Sequence, residues 1–288
     1  MISAQDLAGR LALRKYRRSW RGDCPACTYH GAFSLRGDGD KILVHCSNGC
    51  DREALADAIS RVAGGDWQRP EPETQTDAEK KLKRQEAVLR LWSSSISASD
   101  TLVDRYLAGR GLPGLAASAA LRFRQDVHHP EGGRLPAMVA AVMDAGGAII
   151  AVHRTFLNVE SGGKASVTPN KASLGPVWGG AIRLDPVAPD LVIGEGIESS
   201  ASAGRLLHLP AWAAISAGNL EKGLVLPPAV RSVVIAADRD LPGQRAAWAA
   251  AERWRAEGRT VRVALPDEHP DFNDLLRAHQ PAQEAAHA

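Results

Sequence analysis

The sequence predicts an α/β protein: a parallel sheet with flanking helices toward the C-terminus, a small α+β segment before it, and a β-rich piece at the N-terminus. Three observations carry that prediction. From residue 191 onward, strand-like apolar runs alternate with helix-like stretches, which is the order of a parallel sheet. All four cysteines of the 288-residue chain lie between positions 24 and 50, around a glycine turn. Between these regions, short β-branched runs are separated by glycine-rich turns.

The parallel sheet begins at Leu191 to Ser200, LVIGEGIESS. A brief apolar run bounded by glycine suits a buried strand, and Glu195 follows its C-terminal end. Gly194 and Gly196 leave room beside that carboxylate for a phosphate or a hydrated metal. A helix is expected from about Glu198 to Leu207. The pattern recurs at Ser232 to Asp240, SVVIAADRD. Asp238 and Asp240 stand two residues apart, so in extended backbone both project to one side. A helix over 244–257 follows Gly243, Gly258 stops it, and TVRVAL from Thr260 is the next strand. Open sheets of this grammar bind ligands at the carboxyl ends of their strands, where Glu195, Asp238 and Asp240 would meet. Read singly, each acid serves equally well as a helix cap or a solvated loop residue.

Composition is that of an ordinary soluble protein, with 44% hydrophobic and 24% charged residues and a net charge of +2. No run of eighteen apolar residues occurs, and the first turns carry Asp6 and Arg10, so neither a membrane span nor a signal peptide is expected and a cytoplasmic location is. Residues 1–21 hold Arg10, Arg14, Lys15, Arg17, Arg18 and Arg21 against one acid. Such a run either neutralises phosphates or forms the wet face of a helix built on Leu7, Leu11 and Leu13.

The cysteines read C-P-A-C, then C-S-N-G-C, as Cys24, Cys27, Cys46 and Cys50. Two short-spaced thiol pairs flanking a hairpin, Ala32 to Arg36 and Lys41 to His45, make a zinc ribbon holding a tetrahedral Zn²⁺. His30 and His45 are the alternative ligands, and the four thiols make them unnecessary. A closed site of this kind is structural and should hold a surface against nucleic acid.

After a short helix to Ala63, the stretch GGDWQRPEPETQTD is polar and rich in proline and glycine, and reads as a linker. Helices at Ala78 to Trp92 and Asp100 to Leu107 follow, with Leu89, Leu91, Trp92, Leu102, Val103, Tyr106 and Leu107 as core and Arg105 and Arg110 facing outward. Strands at Leu121 to Phe123, Ala137 to Met143, Ala148 to Phe156 and Ala181 to Leu184 form a small sheet of their own. The resulting division is 1–63, a DNA-binding ribbon; 64–77, a linker; 78–185, the first part of a catalytic core; 186–280, the parallel-sheet domain; and 281–288, a frayed tail. No G-x-x-x-x-G-K-[ST] occurs, so no P-loop motor is expected.

The glutamate after one strand, with glycines beside it, and the Asp-x-Asp after a later strand resemble the Toprim domain of bacterial-type primases, topoisomerases and some nucleases. A zinc ribbon ahead of it, with Trp20-Arg21-Gly22-Asp23-Cys24-Pro25, Leu43-Val44-His45-Cys46 and Gly49-Cys50-Asp51, resembles the primase-like proteins of phages and mobile elements. The resemblance implies that Glu195, Asp238 and Asp240, with Asp274 and Asp271 in second rank, bind Mg²⁺ or Mn²⁺. It implies that Arg154 foremost, with His153, Lys164 and Lys171, holds nucleotide and template; the N-terminal charge run makes Arg14, Lys15, Arg17, Arg18 and Arg21 the expected contacts to single-stranded DNA. The expected activity is RNA primer synthesis from NTPs, with a separate replicative helicase as partner. A Toprim nuclease and a catalytically inert nucleic-acid-binding regulator or loader are the alternatives; a topoisomerase is disfavoured, since Tyr16, Tyr29 and Tyr106 all precede the Toprim segment.

Overall fold

The computed structural model describes residues 2–16, 19–38, 41–46, 50–64 and 75–279. Arg17, Arg18, most of the expected linker and the C-terminal tail lie outside the described residues. The chain divides into two compact units, residues 1–78 and 79–288.

In the first unit, α1 (Ala4–Arg10) is capped by Ser3, whose hydroxyl accepts from the Asp6 amide at 3.1 Å. Strands β1 (Arg14–Tyr16), β2 (Ser19–Gly22), β3 (Phe33–Asp38) and β4 (Lys41–Cys46) form an antiparallel sheet in that order. Helix α2 (Arg52–Ala63) closes the unit, with Asp51 capping it through the Ala54 amide at 2.7 Å. Leu7, Phe33, Leu35, Leu55 and Ile59 form the core beside Cys24 and Cys46. The helix therefore ends at Arg10, and Arg14, Lys15 and Arg21 stand on a β-hairpin instead of a helix face.

The boundary falls within α3 (Gln75–Ser93), most of which belongs to the second unit, where Val88 packs under a five-stranded antiparallel sheet. That sheet is β5 (Ile96–Ser97), β6 (Leu121–His128), β7 (Arg134–Met143), β8 (Ile149–Phe156) and β9 (Lys171–Leu174), in chain order, with α4 (Leu102–Gly109) after β5. The second sheet contains β10 (Ile182–Arg183), β11 (Asp190–Gly194), β12 (Ala211–Ala213), β13 (Ser232–Ala236) and β14 (Thr260–Ala264), ordered β10-β12-β11-β13-β14. Only β10 runs antiparallel. Helices α5 (Ile197–Leu207), α6 (Leu241–Ala256) and α7 (Phe272–His279) flank it.

Strand alternation divides the two faces of this sheet. Leu191, Ile193, Val233 and Ile235 pack on Ala246, Ala250 and Trp254 of α6, whereas Val192, Val234 and Ala236 face Ala201 of α5 and Phe272 and Leu276 of α7. The second of these cores continues into Val103, Tyr106 and Leu107 of α4 and Met138 and Ala140 of β7, so one apolar body joins the two sheets. Leu91 and Trp92 belong to the separate core on the far side of the antiparallel sheet, and Leu89 is exposed.

The stretch at Ala181 to Leu184 differs from its sequence reading. Ile182 and Arg183 pair with Ala213 and Trp212 in the parallel sheet, while Ala181 exchanges two 2.9 Å backbone hydrogen bonds with Met143 of β7. This segment therefore fastens one sheet to the other.

Candidate active site and cysteine cluster

In the first unit, the CPAC turn and the end of β4 bring the four thiols together. Cys24 Sγ lies 3.8 Å from Cys50 Sγ, Cys27 Sγ lies 3.8 Å from Cys46 Sγ, and all four sulfurs are within 4.8 Å of one another. A tetrahedron with metal–sulfur bonds of about 2.3 Å has edges near 3.8 Å, so the spacing fits a zinc ion. Burial pushes the Cys24 thiol up to about 11 and drives Cys50 well above the ordinary thiol range, with neighbouring thiols adding to both. Four crowded, half-buried thiols are therefore a site that a divalent cation would relieve. His30 pairs with Asp23 at 2.7 Å, and the cluster consists of cysteines alone among the described residues. On the hairpin, the Lys15 ammonium lies 3.5 Å from the centre of the Trp20 ring and the Arg21 guanidinium 4.4 Å from that of Tyr16.

In the second unit, β11 and β13 are parallel neighbours with Gly194 opposite Ala236, so both strands end at the same level. Glu195 leaves the first strand there and Asp238 the second. Burial, then the charges of Asp238 and Asp240, raise the Glu195 carboxyl to about 7; Lys171 opposes the shift. Asp238 is raised by burial and by Asp271 and Asp240, and is held down by the Ser199 hydroxyl, which donates to it at 3.0 Å. Glu195 and Asp238 are thus two buried carboxyls raised in part by acidic neighbours, hard oxygens in a place short of positive charge, although among the described residues only the cysteines come close enough together to form a ready-made metal cluster.

Two of the acids also have local structural duties. Asp240 is the N-cap of α6, accepting from the Gly243 amide at 2.7 Å, and a Cβ on Gly243 would sit 2.7 Å from that carboxylate oxygen. Asp271 accepts from the Asp274 amide at 2.8 Å at the start of α7. Of that pair, Asp271 is the one that acts on Asp238, while Asp274 lies 3.9 Å from Arg277. Both residues are half-buried, and of the two it is Asp271 whose charge acts on Asp238. Gly194 also serves differently from its sequence reading: a Cβ there would meet Ser200 Oγ at 2.8 Å, so it permits α5 to pack closely on the strand end.

Glu195 lines a small cavity together with Glu198, His153 and Thr155 of β8 and Lys171 of β9. Lys164 Nζ lies 2.8 Å from Glu198 Oε1, Lys171 Nζ lies 3.9 Å from Oε2, and the Tyr106 hydroxyl donates to Oε1. Burial acts to raise the Glu198 carboxyl, but Lys171, Lys164 and Tyr106 together hold it well below the usual carboxylate range. His153 accepts or donates at 2.9 Å to Ser173 Oγ, and burial among Lys171, Arg154 and Lys164 lowers its imidazole to about 4.

Arg154 does not join this group. Alternation along β8 turns it to the opposite face of the sheet, where its donors are used on the carbonyls of Ala172 at 3.2 Å, His128 at 3.0 Å and Ser173 at 3.1 Å. It is buried, and ties β8 to β9. Arg105 is exposed, as expected, and donates to the Val159 and Glu160 carbonyls. Glu198, Ser199 and Tyr106 were not singled out from sequence as site residues. The available signal was spacing: Glu198 and Ser199 lie three and four residues after Glu195, on the first turn of α5, which must face the same strand ends.

Comparison with known proteins matches residues 190–282 to the Toprim domain and residues 82–184 to a family described as a domain of unknown function, DUF7146. Curated protein sequences gave no match. Among solved structures, the Aquifex aeolicus primase, comprising zinc-binding and RNA polymerase domains, is 12% identical with a TM-score of 0.50, covering 95% of this chain and 80% of that one. The DnaG primase catalytic domain bound to ssDNA is 18% identical at 0.49, covering 70% and 76%; the primase fragment of the bacteriophage T7 primase-helicase protein is 15% identical at 0.45, covering 91% and 96%. The chain thus carries a Toprim domain. Its architecture is primase-like, with a cysteine cluster in the N-terminal unit and, in the second, an antiparallel sheet ahead of the Toprim sheet.

Proposed function

We propose that this protein is a DNA primase-like nucleotidyltransferase that makes short RNA primers on single-stranded DNA. The observation that carries the reading is a cavity that Glu195 and Lys171 both line, with Asp238 and Asp240 acting on Glu195 from the acidic side and Lys164 joined to Lys171 through Glu198 on the basic side. A triphosphate needs both, cations for its oxygens and a carboxylate-held metal at the reacting phosphorus.

Glu195, Asp238 and Asp240 would hold Mg²⁺ or Mn²⁺, with Asp271 behind Asp238; when bound, the ion supplies charge neutralisation on the triphosphate and acidifies the 3′ hydroxyl. The lysines bind the phosphate oxygens and balance the leaving pyrophosphate. Ser199 fixes the orientation of Asp238. His153, kept uncharged chiefly by burial with Lys171, Arg154 and Lys164 adding to it, lines the cavity without adding charge at working pH. Arg154 shapes the sheet that presents Lys171 and has no part in holding nucleotide.

In the same reading, residues 1–63 form a zinc ribbon, Cys24, Cys27, Cys46 and Cys50 hold Zn²⁺, and Arg14, Lys15 and Arg21, with Arg17 and Arg18, grip the template in the cytoplasm. Residues 64–77 are the linker, 78–185 the first part of the core and 186–280 the Toprim domain. The replicative helicase is a separate polypeptide.

Incubation with single-stranded template, labelled NTPs and Mg²⁺ tests the reading. Labelled oligoribonucleotides that disappear in Glu195→Gln support it. Shortened DNA in their place indicates a nuclease, and binding without products indicates an inert module; either result removes the primase assignment.

A further inference from the structure

We infer that Glu198 is a positioning residue, a buried clamp that holds Lys164 beside Lys171 at the cavity that Lys171 and Glu198 line; the inference rests on the nucleotidyltransferase reading and deepens it. Glu198 opens α5 on the Toprim sheet, three residues after Glu195, and its side chain is only 7% exposed. Both of its oxygens are engaged, Oε1 by Lys164 and the Tyr106 hydroxyl and Oε2 by Lys171. The two lysines come from different stretches. Lys164 belongs to the loop after β8, anchored by its bridge to Leu157, whereas Lys171 opens β9.

Without a shared anion these ammonium groups repel, and each lies in the other's field. A carboxylate between them makes their proximity possible. It does not exhaust them: an ammonium has three donors, so each lysine keeps capacity for a phosphate oxygen after serving Glu198. They are also reachable, at 27% and 37% side-chain exposure. Lys171 has a further link, because it is the cation that acts on Glu195 and Asp238. Holding Lys171 therefore fixes the phosphate-binding cations relative to the carboxylates.

A purely structural ion pair is a poor explanation for this burial. Well-packed apolar groups stabilise such a position as well or better, and one carboxylate shared by two partly open lysines leaves a net positive charge beside the cavity that Lys171 and Glu198 line. The Gln variant removes the anion while keeping the shape. Its lysines lose their alignment, yet a phosphate ligand is no longer repelled by Glu198 and can itself serve as counter-ion.

The test combines primer-synthesis kinetics, thermal melting and calorimetric titration with inorganic pyrophosphate on the full chain. Glu198→Gln is expected to lower kcat at least tenfold with the KM for NTP within threefold of the unsubstituted protein or lower, and Glu198→Asp to recover part of kcat. Lys164→Met should weaken pyrophosphate at least fivefold, and Glu198→Gln should not weaken it more than twofold. In the Lys164→Met background, Glu198→Gln should cost less than threefold further in kcat. The clamp is overturned if Glu198→Gln leaves kcat within twofold, if kcat, pyrophosphate affinity and melting temperature fall together, or if the two substitutions act independently. Should the unsubstituted protein make no primers, the nucleotidyltransferase reading fails, and the clamp is then overturned if Lys164→Met leaves pyrophosphate affinity within twofold or if Glu198→Gln lowers that affinity together with the melting temperature.

Discussion

At the residue scale, Asp240 shows how one side chain serves two purposes that substitution can separate. One oxygen caps α6 through the Gly243 amide, and its charge contributes to the raised Glu195 carboxyl. Asparagine caps helices as well as aspartate but is a weak Mg²⁺ ligand, whereas alanine does neither. Asp240→Asn should therefore keep the melting temperature while losing primer synthesis by tenfold or more, and Asp240→Ala should lose activity and about 1 kcal/mol of stability. Equal melting temperatures for the two variants would remove the capping role.

His153 gives a pH dependence of defined sign. Its folded value, about 4, lies below the ordinary 6.5, with burial the main cause and Lys171, Arg154 and Lys164 adding to it against Glu198. Between those values the unfolded chain binds a proton that the folded one refuses, so stability falls as pH drops from 6.5 toward 4. The loss amounts to about 2 kcal/mol after allowance for partial exposure. Denaturant midpoints at pH 7 and pH 5 for the unsubstituted protein and His153→Gln measure it. The variant should be less acid-sensitive; an unchanged difference would show that the sensitivity lies elsewhere.

At the scale of elements, legibility followed the length and contrast of the pattern. β11, β13 and β14 were plain in the sequence because five-residue β-branched runs ending in acids or glycine have few other homes. β10 and β12 were not placed in this sheet: Ile182–Arg183 and Ala211–Ala213 are too short to show alternation, and only pairing with neighbours makes them strands. β9 was hidden for a related reason, since KASL takes its strand character from the edge of β8. That hidden strand explains Arg154, whose sequence offers a basic residue at a strand end and whose structure uses it to join that edge. Arg154→Met should leave three carbonyls short of a donor and destabilise the second unit by about 1–3 kcal/mol. The KM for NTP should stay unchanged at a temperature where the variant remains folded. A tenfold rise in KM without loss of stability would restore Arg154 to the nucleotide site.

For the whole molecule, the four thiols were legible as a metal site because spacing alone brings two pairs to a hairpin's base, while the Glu198 clamp was not, since it joins residues 106, 164, 171 and 198 through tertiary packing. The same contrast predicts two different responses to metal removal. The first unit is small, and Cys24 and Cys46 sit within its core, so a zinc ion bound to the thiols would act together with its buried apolar surface to hold the sheet on α1 and α2. The second unit has two cores of its own and one apolar body that spans both sheets. Zinc must displace thiol protons, and the raised Cys24 and Cys50 thiols make that displacement steeper, so its hold weakens as pH falls. A strong chelator at pH 6 should therefore release one zinc per chain and abolish a first melting transition belonging to residues 1–78, leaving the second within about 2 °C, a shift below about 1 kcal/mol. A single transition that moves as a whole would mean that the thiol cluster supports the Toprim half as well.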